Sequence, residues 1–379
     1  MNNFKVIQTP VRFYPYIGGV ENHTYYLSKE LVKQGNKIKV LCANEPNSHQ
    51  NVVDGIQVER LSYIGKITNT NIAFALPFKL LRADYDLVHT HMPTPWTSDW
   101  SILIAKILGK KSIISIHNDM DKPGFLNKLI TKIYLNTFFR FSLALVDKII
   151  LVNPDWKQSF IATKHLLLPY QNKISVIPNG IDLSLFDKTI KTKRDPNQIL
   201  FVSILDKHHG FKGLDYLLQA LAIIKKSIPN INLIIVGEGE LKSYYQKKAK
   251  QLGIEKNVTF VGEIKQQNLY NYYKKASVFV LPSIEIEGFG IVLLEAMASK
   301  LPVVTTNIAG VWKDIKKFNT GVIVKSRDVN ALVKSITTLL SNKKLLAQMG
   351  KNGNILIKEK YNWKLIAKQV ENIYKEVLQ

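Results

Sequence analysis

The feature that most constrains the fold of this chain is a repeating alternation. Short β-branched apolar runs alternate with amphipathic helical stretches from one end to the other. Apolar runs of this kind are strands buried on both faces of a sheet, and neighbouring parallel strands need a crossover, usually a helix, between them. The alternation therefore predicts an α/β architecture of βαβ units. In the first half, strands are expected near Lys5–Gln8, Ile38–Cys42, Leu87–His89, Ser112–Ile116, Lys148–Val152 and Ile174–Ile177. In the second half they are expected near Ile199–Val202, Leu233–Val236, Val258–Val261, Val278–Leu281, Val303–Thr305 and Gly321–Val324. The first helix should open near Gly19 and stop at Gly35, a glycine placed for a C′ position. The two series meet around Leu183–Asn197, where the polar stretch Asp187–Pro196 reads as a linker. At 379 residues the chain is too long for one typical core. Two Rossmann-like domains are expected, residues 1–183 and 184–361, followed by a last helix within 362–379.

Composition narrows the class without naming a partner. No run approaches the ~18 apolar residues of a membrane span, and the chain starts directly with a strand, Phe4-Lys5-Val6-Ile7, with no secretory signal ahead of it. The one cysteine, Cys42, excludes a disulfide framework or a thiolate metal site. A cytoplasmic protein is expected. The net charge is +23, yet only six of the 52 basic residues are Arg. That resembles a lysine-rich compositional bias more than selection for bidentate phosphate contacts. The chain has no clustered Lys/Arg helix, zinc spacing or aromatic RNA-binding motif, so a nucleic-acid partner is not expected.

The densest motif is Pro282-Ser283-Ile284-Glu285-Ile286-Glu287-Gly288-Phe289-Gly290-Ile291-Val292-Leu293-Leu294-Glu295-Ala296-Met297-Ala298. It reads as the end of a strand, a glycine-bearing turn and a helix. Such an order leaves free backbone N–H groups at a helix N-terminus, beside little side-chain bulk, which suits a phosphate. Glu287 and Glu295 frame it about two helical turns apart. Carboxylates do not favour phosphate but accept sugar hydroxyls, so the pattern suggests a nucleotide-sugar site. Each glutamate alone fits an ordinary βα unit equally well. Upstream, Gly18-Gly19 sit at the mouth of the first helix, where glycine allows close backbone approach. A G-x-G-x-x-G fingerprint is absent there, which weighs against a dinucleotide oxidoreductase.

The motif containing Glu287 and Glu295 resembles the signature of glycosyltransferase family 4, retaining enzymes of GT-B fold. "YPYIGGVENHTYYLSKEL" (14–31), "SIHND" (115–119), "VIPNGID" (176–182) and "HHGFKGLDYLLQAL" (208–221) resemble further family motifs, in the family's order. The resemblance implies two Rossmann-like domains with a deep interdomain cleft, the first binding acceptor and the second donor, and a last helix crossing back onto the first. It implies transfer of a hexosyl unit from a UDP- or GDP-linked sugar to a glycan or lipid-linked acceptor, in polysaccharide, lipopolysaccharide or glycolipid assembly. By resemblance His117 contacts the donor sugar, Lys212 neutralises the leaving diphosphate, and Glu287 holds sugar hydroxyls. Glu295 would hold the ribose, and Gly18, Gly19, Gly288, Phe289, Gly290, Ile291 and Val292 would shape the donor site. Asp119, Asn179, His208 and His209 are further candidates. Glu21 and His23 also match, although a surface position fits either as well. The family commonly carries an Arg after the strand preceding Lys212; this chain has Ser203-Ile204-Leu205 instead.

The two Asp-x-Asp triplets, Asp84-Tyr85-Asp86 and Asp119-Met120-Asp121, lie in the first half, away from the glycine turn that suits a diphosphate, and the His89–His91 pair reads as cleft lining, so no metal or other cofactor is expected. The rival readings are a same-fold epimerase or phosphorylase and, from a different class, a basic nucleic-acid-binding protein. One segment points to a membrane. Residues 122–141 read as an amphipathic helix with Lys128, Lys132 and Arg140 on one side. Leu126, Ile130, Ile133, Tyr134, Phe138 and Phe141 fall on the other. It is either a core helix or an interfacial one giving peripheral contact with the anionic inner face of the cytoplasmic membrane. The stretch Ile72–Arg82 would add a second apolar contact.

Overall fold

The computed structural model describes residues 3–16, 18–67, 70–120, 125–186, 193–285 and 288–379. Residues 187–192 of the expected linker, the start of the amphipathic segment and Glu287 lie outside the described residues. The chain forms two compact units, Met1–Gly180 with Trp363–Gln379, and Ile181–Asn362.

The first unit contains β1 (Lys5–Thr9), β2 (Lys37–Ala43), β3 (Val52–Val53), β4 (Ile56–Leu61), β5 (Lys66–Ile67), β6 (Thr70–Asn71), β7 (Leu87–Met92), β8 (Lys111–Ile116), β9 (Lys148–Leu151) and β10 (Ile174–Val176). Eight of them build one sheet in the order β10-β9-β8-β7-β1-β2-β4-β3. Its ladders are parallel except for β3–β4 at the edge. β5 and β6 pair separately as a hairpin. Helices α1 (Gly19–Lys33), α2 (Ala75–Arg82), α3 (Thr97–Ile107), α4 (Phe125–Tyr134), α5 (Arg140–Leu145), α6 (Trp156–Ser159) and α7 (Lys164–Leu167) connect the strands. A π-helical segment, Leu135–Phe139, joins α4 to α5. The period of two along each strand divides the core. Val6, Val40 and Leu87 pack with Leu27 and Leu31 of α1, while Ile7, Leu41 and Val88 pack with Leu76 and Leu80 of α2 and Ile104 of α3.

Four strands, β3 to β6, escape the sequence pattern. In β4 the buried Ile56, Val58 and Leu61 alternate with Gln57, Glu59 and Arg60, because this strand lies next to the sheet edge and shows one side to water. An edge strand has no continuous apolar run to detect.

The second unit is one six-stranded parallel sheet: β11 (Gln198–Val202), β12 (Asn232–Val236), β13 (Val258–Gly262), β14 (Val278–Leu281), β15 (Val303–Thr306) and β16 (Gly321–Val324). Their order is β13-β12-β11-β14-β15-β16. This is the doubly wound order, with its reversal between β11 and β14. The helices are α8 (Leu214–Ile224), α9 (Lys242–Gln251), α10 (Gln266–Lys275), α11 (Ile291–Ala298), α12 (Trp312–Lys317), α13 (Val329–Ser341) and α14 (Lys343–Lys360).

The C-terminal helix (Trp363–Leu378) belongs to the first unit. Its Trp363, Ile366, Ala367, Val370 and Tyr374 are buried with Phe4, Val6, Leu27 and Leu31. Tyr374 also reaches the sheet, where its hydroxyl lies 3.1 Å from Gln8 Nε2 and 2.8 Å from His89 Nδ1. Removing a buried isoleucine side chain leaves a cavity and costs about 2–5 kcal/mol. Ile366→Ala is therefore expected to lower the unfolding free energy of the first unit, read from its urea transition, by that amount. The transition of the second unit, followed separately, should stay in place.

Candidate functional site

In open parallel sheets, ligands bind beyond the carboxyl ends of the strands where strand order reverses. In the first unit this place lies between β1 and β7, and four histidines gather around it. His89 and His91 come from β7, His117 follows β8, and His23 stands on the second turn of α1, after β1. All four are buried. A surface position for His23 and Glu21, which the sequence left open, is corrected: α1 turns both inward, toward the sheet edge.

Their hydrogen bonds are consistent with one set of tautomers. His91 Nε2 donates to Gln8 Oε1 at 2.8 Å, so its Nδ1 accepts from His117 Nε2 at 3.2 Å. Tyr374 hydroxyl donates to His89 Nδ1 at 2.8 Å, and His89 Nε2 donates to Ser115 Oγ at 2.7 Å. His23 Nδ1 donates to Asn179 Oδ1 at 2.6 Å. That leaves His23 Nε2 as a buried lone pair with no partner among the described residues. Desolvation holds every ring neutral. It lowers His23 to about 4 and His89 to about 3, and it lowers His91 and His117 as well, helped by the neighbouring rings. One nitrogen each from His23, His91 and His117 lie within 4.8 Å of one another. The sequence reading, which saw only the His89–His91 pair, missed this set. A metal there would have to displace the His91–His117 hydrogen bond; a hydroxyl donating to His23 Nε2 would not.

Around this cluster the other candidates take supporting places. Asp119 accepts from the backbone N–H groups of Ala162 and Thr163 and from the Thr163 hydroxyl, at 2.7, 3.1 and 2.7 Å, and so ties the loop after His117 to the start of α7. It is a positioning residue. Gly18 is the N-cap of α1, and a Cβ there would overlap the Glu21 carboxylate. That carboxylate is held by Arg12 Nε at 3.1 Å, a buried ion pair beneath the glycine turn, with Arg12 stacked 4.1 Å over the Tyr16 ring. Nothing in the spacing announced Arg12. Gly19 is exposed and meets nothing where a Cβ would stand.

The second unit repeats the arrangement at its own reversal point. β11 leads into a short 3₁₀ turn, Lys207–Lys212, and β14 leads into the turn before α11. The two loops are joined by Ile284 N–H donating to Phe211 carbonyl at 2.7 Å. Gly213 has φ +76° and lies so close to the Pro282 carbonyl that a Cβ would overlap it. Lys212, half-buried, lies 5.1 Å over the Phe211 ring. His209 Nδ1 donates to Asp206 at 2.7 Å, and His208 and Ile204 face solvent.

Gly290, with φ +84°, caps α11, and Gly288, Ile291 and Val292 around it are half-buried. Phe289 is buried with its ring centroid 5.9 Å from that of Tyr361. One turn into α11, Glu295 is a half-buried residue whose carboxylate points inward to accept from the Tyr273 hydroxyl at 2.7 Å. Desolvation pushes this carboxyl up to about 7, and the tyrosine bond offsets only part of it. Tyr273, from α10, is the second residue the sequence reading missed.

Comparison with known proteins decides the family. Residues 17–185 match the family model for Glycosyltransferase Family 4, and residues 185–356 match that for Glycosyl transferases group 1. The chain belongs to glycosyltransferase family 4.

Among its relatives is an uncharacterised glycosyltransferase of Methanocaldococcus jannaschii, 28% identical over 95% of this chain and 94% of the relative. The phosphatidyl-myo-inositol mannosyltransferase of Mycobacterium leprae is 23% identical over 95% of this chain and 93% of its own length. In fold the transferase is similar to Anabaena HepE, solved with UDP, with a TM-score of 0.76 at 18% identity over 98% of this chain and 100% of that one. These likenesses establish the GT-B fold, two Rossmann-like domains built on parallel sheets. The histidine cluster falls in the family 4 region, and Lys212 and Glu295 fall in the group 1 region.

The buried histidines make the stability of this transferase pH-dependent. Their folded pKa values lie below the ordinary 6.5, so between pH 6.5 and about 4 the unfolded chain binds protons that the folded chain does not. Stability is full above pH 6.5 and is lost as pH falls. With up to four rings contributing, the slope should approach about 1.4 kcal/mol per pH unit for each. Urea midpoints of the first unit at pH 7.5 and 5 measure it, and His89→Gln should flatten the dependence.

Proposed function

We propose that the protein is a retaining glycosyltransferase moving a hexosyl unit from a UDP- or GDP-linked sugar to a hydroxyl of a lipid-linked acceptor, at the inner face of the cytoplasmic membrane. The observation that carries this reading is the site of the second unit. A glycine-capped helix N-terminus suited to a diphosphate lies one turn from Glu295, a desolvated carboxylate suited to a ribose. Relatives support the lipid acceptor: besides the mannosyltransferase, a phosphatidylinositol N-acetylglucosaminyltransferase subunit of yeast is 24% identical over 96% of this chain. HepE, solved with UDP, with UDP and glucose, and with UDP-glucose, supports the donor class.

In this reading the α11 N-terminus and Lys212 hold the diphosphate, where charge grows as the bond to the anomeric carbon breaks. Glu287 and His117 hold the hydroxyls of the transferred sugar. The acceptor oxygen bonds the anomeric carbon on the face the diphosphate leaves, and its proton passes to the departing diphosphate oxygen. With Ile204 where an Arg commonly stands, Lys212 and the helix N-terminus carry the phosphate charge, with His208 and His209 of the same turn as further candidates.

Replacing a charged hydrogen-bond acceptor costs about 1.5–3 kcal/mol, so Glu287→Gln and Glu295→Gln should each lower kcat/KM by about 10- to 100-fold in folded protein. Ribose hydroxyls favour the charged carboxylate. Nucleoside diphosphate binding at pH 7 should therefore release up to about half a proton more in the wild type than in Glu295→Gln. Calorimetry in two buffers of different ionisation enthalpy reads that difference. Full turnover by both folded variants would overturn the site.

Transfer is also proposed to need no metal. Activity should persist in chelator, because Lys212 and the helix N-terminus supply the positive potential. Loss in chelator with recovery in a divalent ion would overturn this, and the His23–His91–His117 set would be the first place to look for that ion.

A further inference from the structure

Beside the loops that follow β7 and β8, the first unit contains a cavity of about 800 Å³, within the ~300–1,000 Å³ range of ligand pockets. It lies between α3, the helical stretch from α4 through the π segment to α5, and the β5–β6 hairpin. Trp96, Trp100, Leu103, Ile130, Tyr134 and Phe138 supply much of its wall. Asp99, the one carboxylate among the described lining residues, is engaged: it accepts from Ser142 Oγ at 2.7 Å, Tyr134 hydroxyl at 3.0 Å and Trp96 N–H at 3.1 Å. Ligand pockets normally present a few polar groups that orient their guest. Here those groups bond one another and the surface offered is hydrocarbon.

The rim is apolar and open to solvent. Ile67, Ile133, Phe138 and Phe141 are 58, 56, 63 and 53% exposed. Phe74, half-exposed at the start of α2, packs its ring edge 5.1 Å from Trp96 and carries the apolar surface on to Phe78 and Leu81. The amphipathic segment is thus not a core helix along this side. Lys128, Lys132 and Arg140 are exposed, and no Asp or Glu occurs between Lys122 and Val146 or within α2. A π insertion beside a cavity is a frequent mark of a functional site.

We propose that this cavity takes one hydrocarbon chain of the lipid that carries the acceptor, with the basic helix facing the anionic headgroups around it. The proposal rests on the lipid-acceptor reading above. Two observations favour this occupant. A second copy would bring two positive rims together, whereas an anionic bilayer complements them. The cavity also adjoins the site loops: Met120, in its wall, is three residues beyond His117, and Trp96 follows the end of β7 by four. A chain held there keeps its headgroup on the unit that bears the histidine cluster.

Trp96 and Trp100 provide the readout. Dodecyl maltoside brominated mid-chain, below its micelle concentration, should quench part of the tryptophan emission saturably, and the unbrominated detergent should not. Leu103→Phe with Thr131→Phe, which fills the cavity from partly exposed positions, should abolish quenching while nucleotide binding to the second unit persists. In transfer assays with a membrane lipid extract, the filled variant should raise the acceptor KM about tenfold with kcat unchanged, the sign of lost uniform binding. An unchanged KM despite lost quenching would mean a bulk lipid occupies the cavity and would overturn the assignment. Absent quenching, or quenching that survives filling, would also overturn it, as would a concentration-dependent dimer that shields the tryptophans. Phosphatidylglycerol vesicles separate the two readings. If the protein pellets with them at low salt and Lys128→Glu with Lys132→Glu releases it, but no quenching occurs, the membrane reading stands and the cavity proposal fails. If it transfers sugar only to soluble glycans and never pellets, the lipid-acceptor reading itself fails.

Discussion

A parallel sheet must have both faces covered, because its strands are apolar on both sides and its crossovers lie over them. Chemistry is then driven to the carboxyl edge, and at that edge to the point where the strand order reverses and two loops diverge. Both units obey this constraint. In the first, the reversal between β1 and β7 receives His23, His89, His91 and His117. In the second, the reversal between β11 and β14 receives Lys212, Gly290 and Glu295. The residues come from distant parts of the chain, and the winding of each sheet brings them together.

The two sites share one electrostatic device, burial that disfavours the charged form of a titratable group. The histidines are neutral because four rings, packed within a few ångströms, cannot be hydrated when protonated. Glu295 is raised to about 7 because one tyrosine bond does not replace its water. A neutral imidazole with an open lone pair and a carboxylate near its titration point both interact strongly with hydroxyls.

The C-terminal helix links this chemistry to stability. Tyr374 bridges Gln8 and His89, and Trp363 sets its ring 5.1 Å from His23. The helix therefore closes the core of the first unit and fixes ring tautomers at the histidine cluster. A change in its packing would reach the site through these contacts, without touching a ligand.

The sequence by itself determined the architecture and half of the site. Apolar runs of strand length register burial on both faces, so the twelve expected strands are all present in the sheets. The glycine turn before α11 was legible because positive φ and close backbone approach restrict those positions to glycine. Only the tertiary structure decided the rest. The inward turn of Glu21 and His23 depends on which face of α1 meets the sheet, and the helical pattern of α1 alone does not define that face. The Arg12–Glu21 pair, the Tyr273–Glu295 bond and the joining of four histidines are pairings between different elements with no local periodicity. The apolar cavity is of the same kind. Its aromatics were visible as one face of a helix, but whether that face met a core or water depended on how α3 and the β5–β6 hairpin stand beside it.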